Sequence, residues 1–120
     1  MFTATMWCDI RLGDVGSVNP LSSLKAKRSV VRPILAELRR RYDVAVAEVG
    51  AHELYRRTEI GVAAVAATAG QAGDVLDACE RFVAGRPDIV LLSVRRQLLA
   101  HTDDVPGMTI DAPREDSSDG

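Results

Sequence analysis

Residues 2–12 alternate in polarity, with Met6, Cys8, Ile10 and Leu12 on one side and Trp7, Asp9 and Arg11 on the other. That period of two predicts a half-buried strand. The run GDVGSVNP that follows carries two glycines and a proline among polar residues and predicts a loop. Beyond it, Leu24, Val31, Ile34, Leu35, Leu38 and Tyr42 recur at helical spacing, with Ser22 or Ser23 placed to cap the helix. Pro33 lies inside this helix and removes a donor to the carbonyl of Ser29, so a kink or local loosening is expected there. Residues 43–49 and 58–68 lean toward strand and are separated by a connection too long for a two-residue hairpin, which predicts antiparallel pairing through an irregular loop. Val75, Leu76, Cys79, Phe82 and Val83 set a second helix over 71–84, stopped by Gly85-Arg-Pro, and residues 89–97 read as a last strand.

The resulting order, β-α-β-β-α-β, is that of an α+β ferredoxin-like sandwich: a four-stranded antiparallel sheet with two helices on one face. The other face is left open, and Trp7 projects from it. Residues 1–100 are expected to form a single domain. Residues 101–120 are rich in Pro, Gly and Ser with little to bury, and are expected to be a disordered tail.

Composition changes this picture in three places. No stretch approaches the roughly 20 apolar residues of a membrane-spanning helix, and the N-terminus lacks the pattern of a signal peptide, so a cytoplasmic protein with no membrane partner is expected. Cys8 and Cys79 lie in apolar neighbourhoods and are expected to be reduced, buried thiols. The formal charge of −2 conceals a net −5 over residues 101–120, which leaves residues 1–100 at +3. The opposite charges of tail and domain raise the expectation that the tail masks the basic helix.

That helix concentrates cations: Lys25, Lys27, Arg28, Arg32, Arg39, Arg40 and Arg41 face only one acid, Glu37. With Arg56 and Arg57, nine of the fifteen cations fall between residues 25 and 57. Three of them occupy the first turns, where the helix dipole makes each cation unfavourable by ~0.3 to 1 kcal/mol. Exposed N–H groups beside Lys25, Lys27 and Arg28 suit a phosphate or other anion, while pairing with Asp9, Asp14 or Glu48 would make the same cluster structural. Arg57 is grouped with this cationic surface. Without interleaved aromatics, nucleic acid would be held by its phosphates, with no readout of a DNA sequence. A base-stacking platform on the sheet is not expected, because Trp7 stands alone there; Trp7 suits an interface in a homodimer instead.

Catalytic signals are sparse. His52-Glu53 begins like a zinc-protease motif, but HELYR has no second histidine to share a metal, and His101 falls at the start of the tail. Glu48 shares a strand face with Val44 and Val46, and a carboxylate there needs a partner such as Lys27 or Arg57, so a structural ion pair is expected ahead of a general base. No Gly-rich phosphate loop, nucleophile elbow or cysteine–histidine pairing is present, so neither an enzyme nor a cofactor is expected. A weaker reading groups Glu48, Glu53 and Arg57 at one end of the sheet as a small-molecule site.

The segments SLKAKRSVV (23–31), VAVAEV (44–49) and ELYRRTEIGVAAV (53–65) resemble the YlxP-like family of small uncharacterised bacterial proteins. The resemblance spans roughly residues 3–97 and singles out Ser23, Leu24, Lys25, Lys27, Arg28, Glu48, Glu53, Leu54 and Arg57. It implies a ferredoxin-like fold and no established activity. Family members are often encoded near translation-initiation and ribosome-maturation factors, which implies ribosomal RNA or a ribosome-associated protein as partner. Two positions depart from the family pattern: Tyr55 stands where tryptophan is common, and Gly50-Ala51-His52 replaces a more polar run with histidine one position earlier.

Overall fold

The computed structural model describes residues 1–13 and 24–101. The expected caps Ser22 and Ser23, most of the loop before them and the tail from 102 onward lie outside the described residues. The elements are β1 (Phe2–Leu12), α1 (Leu24–Tyr42), β2 (Ala45–Gly50), β3 (Arg57–Ala66), α2 (Ala69–Ala84) and β4 (Ile89–Ala100). The strands form one sheet in the order β2-β3-β1-β4, and every neighbouring pair is antiparallel. This is the ferredoxin-like arrangement the polarity pattern predicts.

The alternation of β1 is obeyed residue by residue. Met6, Cys8, Ile10 and Leu12 are buried against the helices, where Ile34 and Leu38 of α1 and Leu76, Cys79 and Val83 of α2 close the core. Both cysteines are free and buried. Burial pushes the Cys8 thiol up to about 11 and raises that of Cys79 as well, so neither forms thiolate readily near neutrality. The opposite sheet face carries Trp7, Ala45, Ala47, Ala63 and Val65, all exposed.

Boundaries differ from the sequence reading where local geometry intervenes. Asp43 takes a left-handed backbone, φ 54°, just past α1, and the chain leaves that turn to start β2 at Ala45 instead of residue 43. Helix α2 starts two residues earlier than expected because Thr68, extended at φ −130° and ψ 156°, caps it by accepting the Gln71 N–H. Strand β4 runs to Ala100, past Gln97, because β1 supplies a partner along its whole length, from Phe2 opposite Ala100 to Leu12 opposite Ile89. His101 continues this tie: its N–H donates to the Met1 carbonyl and its ring bonds the Thr3 hydroxyl at 2.8 Å. Helix α1 runs through Pro33 as one element. No helix of the described residues is long and apolar enough to cross a membrane.

Candidate functional site

The buried residues of α1 are Lys27, Val31, Ile34 and Leu38. Spacings of four, three and four put Lys27 on the stripe that faces the sheet, and the side chain is only 3% exposed. Opposite it, the alternation along residues 44–48 turns Val44, Val46 and Glu48 to the same side, and the Lys27 ammonium meets the Glu48 carboxylate at 2.8 Å. Lys27 also donates to the Ala51 carbonyl at 2.7 Å and reaches the His52 carbonyl at 3.4 Å. Glu48 in turn accepts the Thr58 hydroxyl at 2.7 Å. Three ammonium protons thus find three acceptors, the condition on which a lysine can be held inside a protein.

The backbone around Glu48 is bent to make this possible. The β2–β3 register slips between Glu48 and Gly50, and Ala51 follows in a left-handed conformation, φ 58°. Such a conformation is unfavourable for a residue with a Cβ and persists where its surroundings hold it. Here it aims the Ala51 carbonyl at Lys27. A side chain at Gly50 would bring its Cβ to 2.5 Å from a Glu59 carboxylate oxygen, so a larger residue in the bulge would require the Glu59 side chain to move. Burial pulls the Glu48 carboxyl upward, but the hydrogen bonds from Lys27 and Thr58 and the charge of Lys27 outweigh it and hold Glu48 below the usual carboxylate range.

The expected cationic surface is therefore smaller than its sequence. Lys27 faces inward, and as an anion seat it is a correction: an ammonium bonded to Glu48 and two carbonyls has no proton left for a ligand. Arg39 donates to the Val46 carbonyl at 2.7 Å. Arg40 and Arg41 both bond Glu37, and hydrogen bonds from the two arginines hold the Glu37 carboxyl below its ordinary value. Arg57 lies on the open sheet face opposite Arg11 and donates to both oxygens of Asp9 at 2.7 Å. It therefore neither partners Glu48 nor joins Glu48 and Glu53 in one site, and Asp9 is not the counter-ion of the helix.

Lys25, Arg28 and Arg32 remain. Spaced three and four apart, they form one exposed stripe on α1 with Ser29 and Pro33 beside them, and none of the three pairs with a carboxylate of the described residues. Beside the stripe lies a cleft of about 440 Å³ between α1 and the end of β2. Leu24, Val31 and Leu35 give it an apolar wall, Arg28 and Arg32 line one side, and Glu48, His52 and Glu53 the other. His52 is exposed, with its Nε2 3.3 Å from the Glu48 carbonyl. No group of three His, Cys, Asp or Glu that could hold a metal occurs among the described residues.

Thr58 was not legible as a partner of Glu48, nor was the Ala51 carbonyl as an acceptor for Lys27, since both follow from the bulge. The inward position of Lys27, by contrast, is written in its spacing from Val31, Ile34 and Leu38.

The comparison with known proteins places the chain in a family. The family described as a protein of unknown function, DUF503, matches residues 4–96. The uncharacterized protein YlxP of Bacillus subtilis (strain 168) is 30% identical over 82 residues, covering 68% of this chain and 83% of the relative. The matched span runs from β1 into β4 and includes the Lys27–Glu48 pair and the stripe of α1; the chain belongs to the DUF503 family, the YlxP-like proteins.

Proposed function

We propose that this protein is a non-catalytic accessory factor that docks on structured RNA, ribosomal RNA foremost, through the exposed stripe of α1. The observation that carries the reading is the set of three cations, Lys25, Arg28 and Arg32, on one helix face, unpaired among the described residues while every other cation of the helix is engaged. A row of free guanidinium and ammonium groups at helical pitch suits successive backbone phosphates and offers little to base edges. Binding of that kind is governed by counterion release, so three phosphate contacts give a log–log dependence on salt with a slope of about −2 to −3.

The test is binding to purified ribosomal subunits and to a generic structured RNA over a salt series. Wild type is compared with a variant carrying Lys25→Glu, Arg28→Glu and Arg32→Glu, with Lys27 left intact because it belongs to the core. Wild type is expected to bind with that slope and the variant to lose both affinity and slope. Tighter binding to one subunit than to the generic RNA would place the protein on the ribosome. Equal binding by wild type and variant, or none by wild type at low salt, would remove the helix from consideration.

A further inference from the structure

The open sheet face combines three properties that together specify its partner. Along β2 and β3 it is floored by small side chains, Ala45, Ala47, Gly61 and Ala63, and these border an open trough of about 460 Å³ walled by Trp7 and Val49. A Cβ at Gly61 would sit tightly against Val49, 3.0 Å from its nearest methyl. Elsewhere the same face raises bulky apolar groups: Trp7 is 41% exposed, Leu99 44% and Val65 70%, and the register sets Val65 and Leu99 on either side of Thr3. One surface thus carries both a hollow and the projections to fill it.

Several polar groups of this face are engaged within it. Arg57 holds Asp9 through both carboxylate oxygens, the Trp7 indole N–H donates to Glu59 at 2.9 Å, and the Arg95 guanidinium lies 4.2 Å over the Trp7 ring. A second copy of the face, apolar around Trp7 and carrying the same internal contacts, would leave these engaged groups in place. Two sheets that pack face to face stand about 10 Å apart, a gap that small residues on both sides leave empty and large residues on both sides overfill. Bulky residues over the small residues of an identical face satisfy it on both sides of a two-fold axis. The face is four strands wide, and over about nine residues of strand it projects roughly 570 Å² before side-chain relief is added. That approaches the ~800 Å² per partner of a stable complex.

We infer that the open face is the interface of a homodimer, in which Trp7 of each subunit seats in the Ala45–Ala47–Gly61–Ala63 trough of the other. The interface lies on the opposite side of the sheet from the stripe of α1, so each subunit keeps its cationic helix outward.

The test uses the full chain, its single tryptophan as reporter, and the variant Ala63→Arg, which alters an exposed position outside the helix-side core. Light scattering across a concentration series is expected to give twice the chain mass of 12.9 kDa for wild type and a halved mass for Ala63→Arg, with an unchanged far-UV spectrum in the variant. Tryptophan emission should shift to the blue as wild type associates and stay constant in the variant. A wild type that is monomeric at every concentration overturns the inference. So does a dimer that survives Ala63→Arg with no change in Trp7 emission, since its interface would lie elsewhere.

Discussion

At the scale of single residues, Lys27 and Glu48 are partners of unequal standing. Lys27 is 3% exposed and Glu48 23%, so each leaves a different problem behind when the other is removed. Glu48→Ala strands an ammonium among two carbonyls in the interior and is expected to destabilise the fold by about 3 kcal/mol, the low end for a buried charge deprived of its counter-ion. Lys27→Met leaves a carboxylate that still reaches water and Thr58, and about 1 to 2 kcal/mol is expected. Urea midpoints at constant m decide it, and the reverse order of the two variants would show that the pair is not held as described. The sign of the pH dependence follows from the same contacts. Glu48 titrates below its ordinary value of 4.5 in the folded chain, so its contribution is complete above that value and is lost as pH falls through the lowered one. The gap in urea midpoint between wild type and Glu48→Gln should therefore be widest near neutrality and close in acid; a gap that widened in acid would contradict the assignment.

Among the elements, legibility tracked periodicity. Strand β1 and helix α1 each have a single strong period, and the polarity pattern placed them and the apolar part of their buried faces, though not Lys27. Strand β4 does not alternate cleanly, since IVLLSVRRQLLA opens with four apolar residues and passes a register shift opposite Asp9 and Ile10. Its last residues were legible only through the length of β1, a long-range property. The start of β2 depended on a positive φ at Asp43, a residue type that tolerates it, and the shape of the site on another at Ala51, a residue type that gives no sign of it. The cationic cluster shows a different limit. Charge counting put seven cations on one helix, but a helix has several faces, and the count is divided among them: Lys27 to the core, Arg39 to β2, Arg40 and Arg41 to Glu37, and Lys25, Arg28 and Arg32 to solvent. The helix-to-RNA reading stands on the last three alone, which is why its decisive variant changes those and spares Lys27.

For the whole molecule, the sheet separates two surfaces of different character. One side supports helices and carries the cationic stripe of α1; the other carries the apolar trough and the projecting Trp7, Val65 and Leu99. The two readings proposed above therefore make independent demands. Loss of RNA binding in the α1 variant should leave the oligomeric state unchanged, and Ala63→Arg should leave the salt slope of each subunit in place.

The stitching of the first described residue to the last has a mechanical consequence. Met1 and His101 exchange backbone hydrogen bonds, with the Met1 amine 3.3 Å from the His101 carbonyl and the His101 N–H 2.8 Å from the Met1 carbonyl. Both lie at the same end of the antiparallel β1–β4 ladder. Force applied through these two points loads one hydrogen-bonded pair at a time, so the ladder opens like a zip. Handles at Met1 and Asp88 would instead draw the same strands along their axes in opposite directions and load the ladder all at once. In single-molecule pulling the first geometry should yield at the lower force, and equal forces in the two would mean that the sheet does not fail first between β1 and β4.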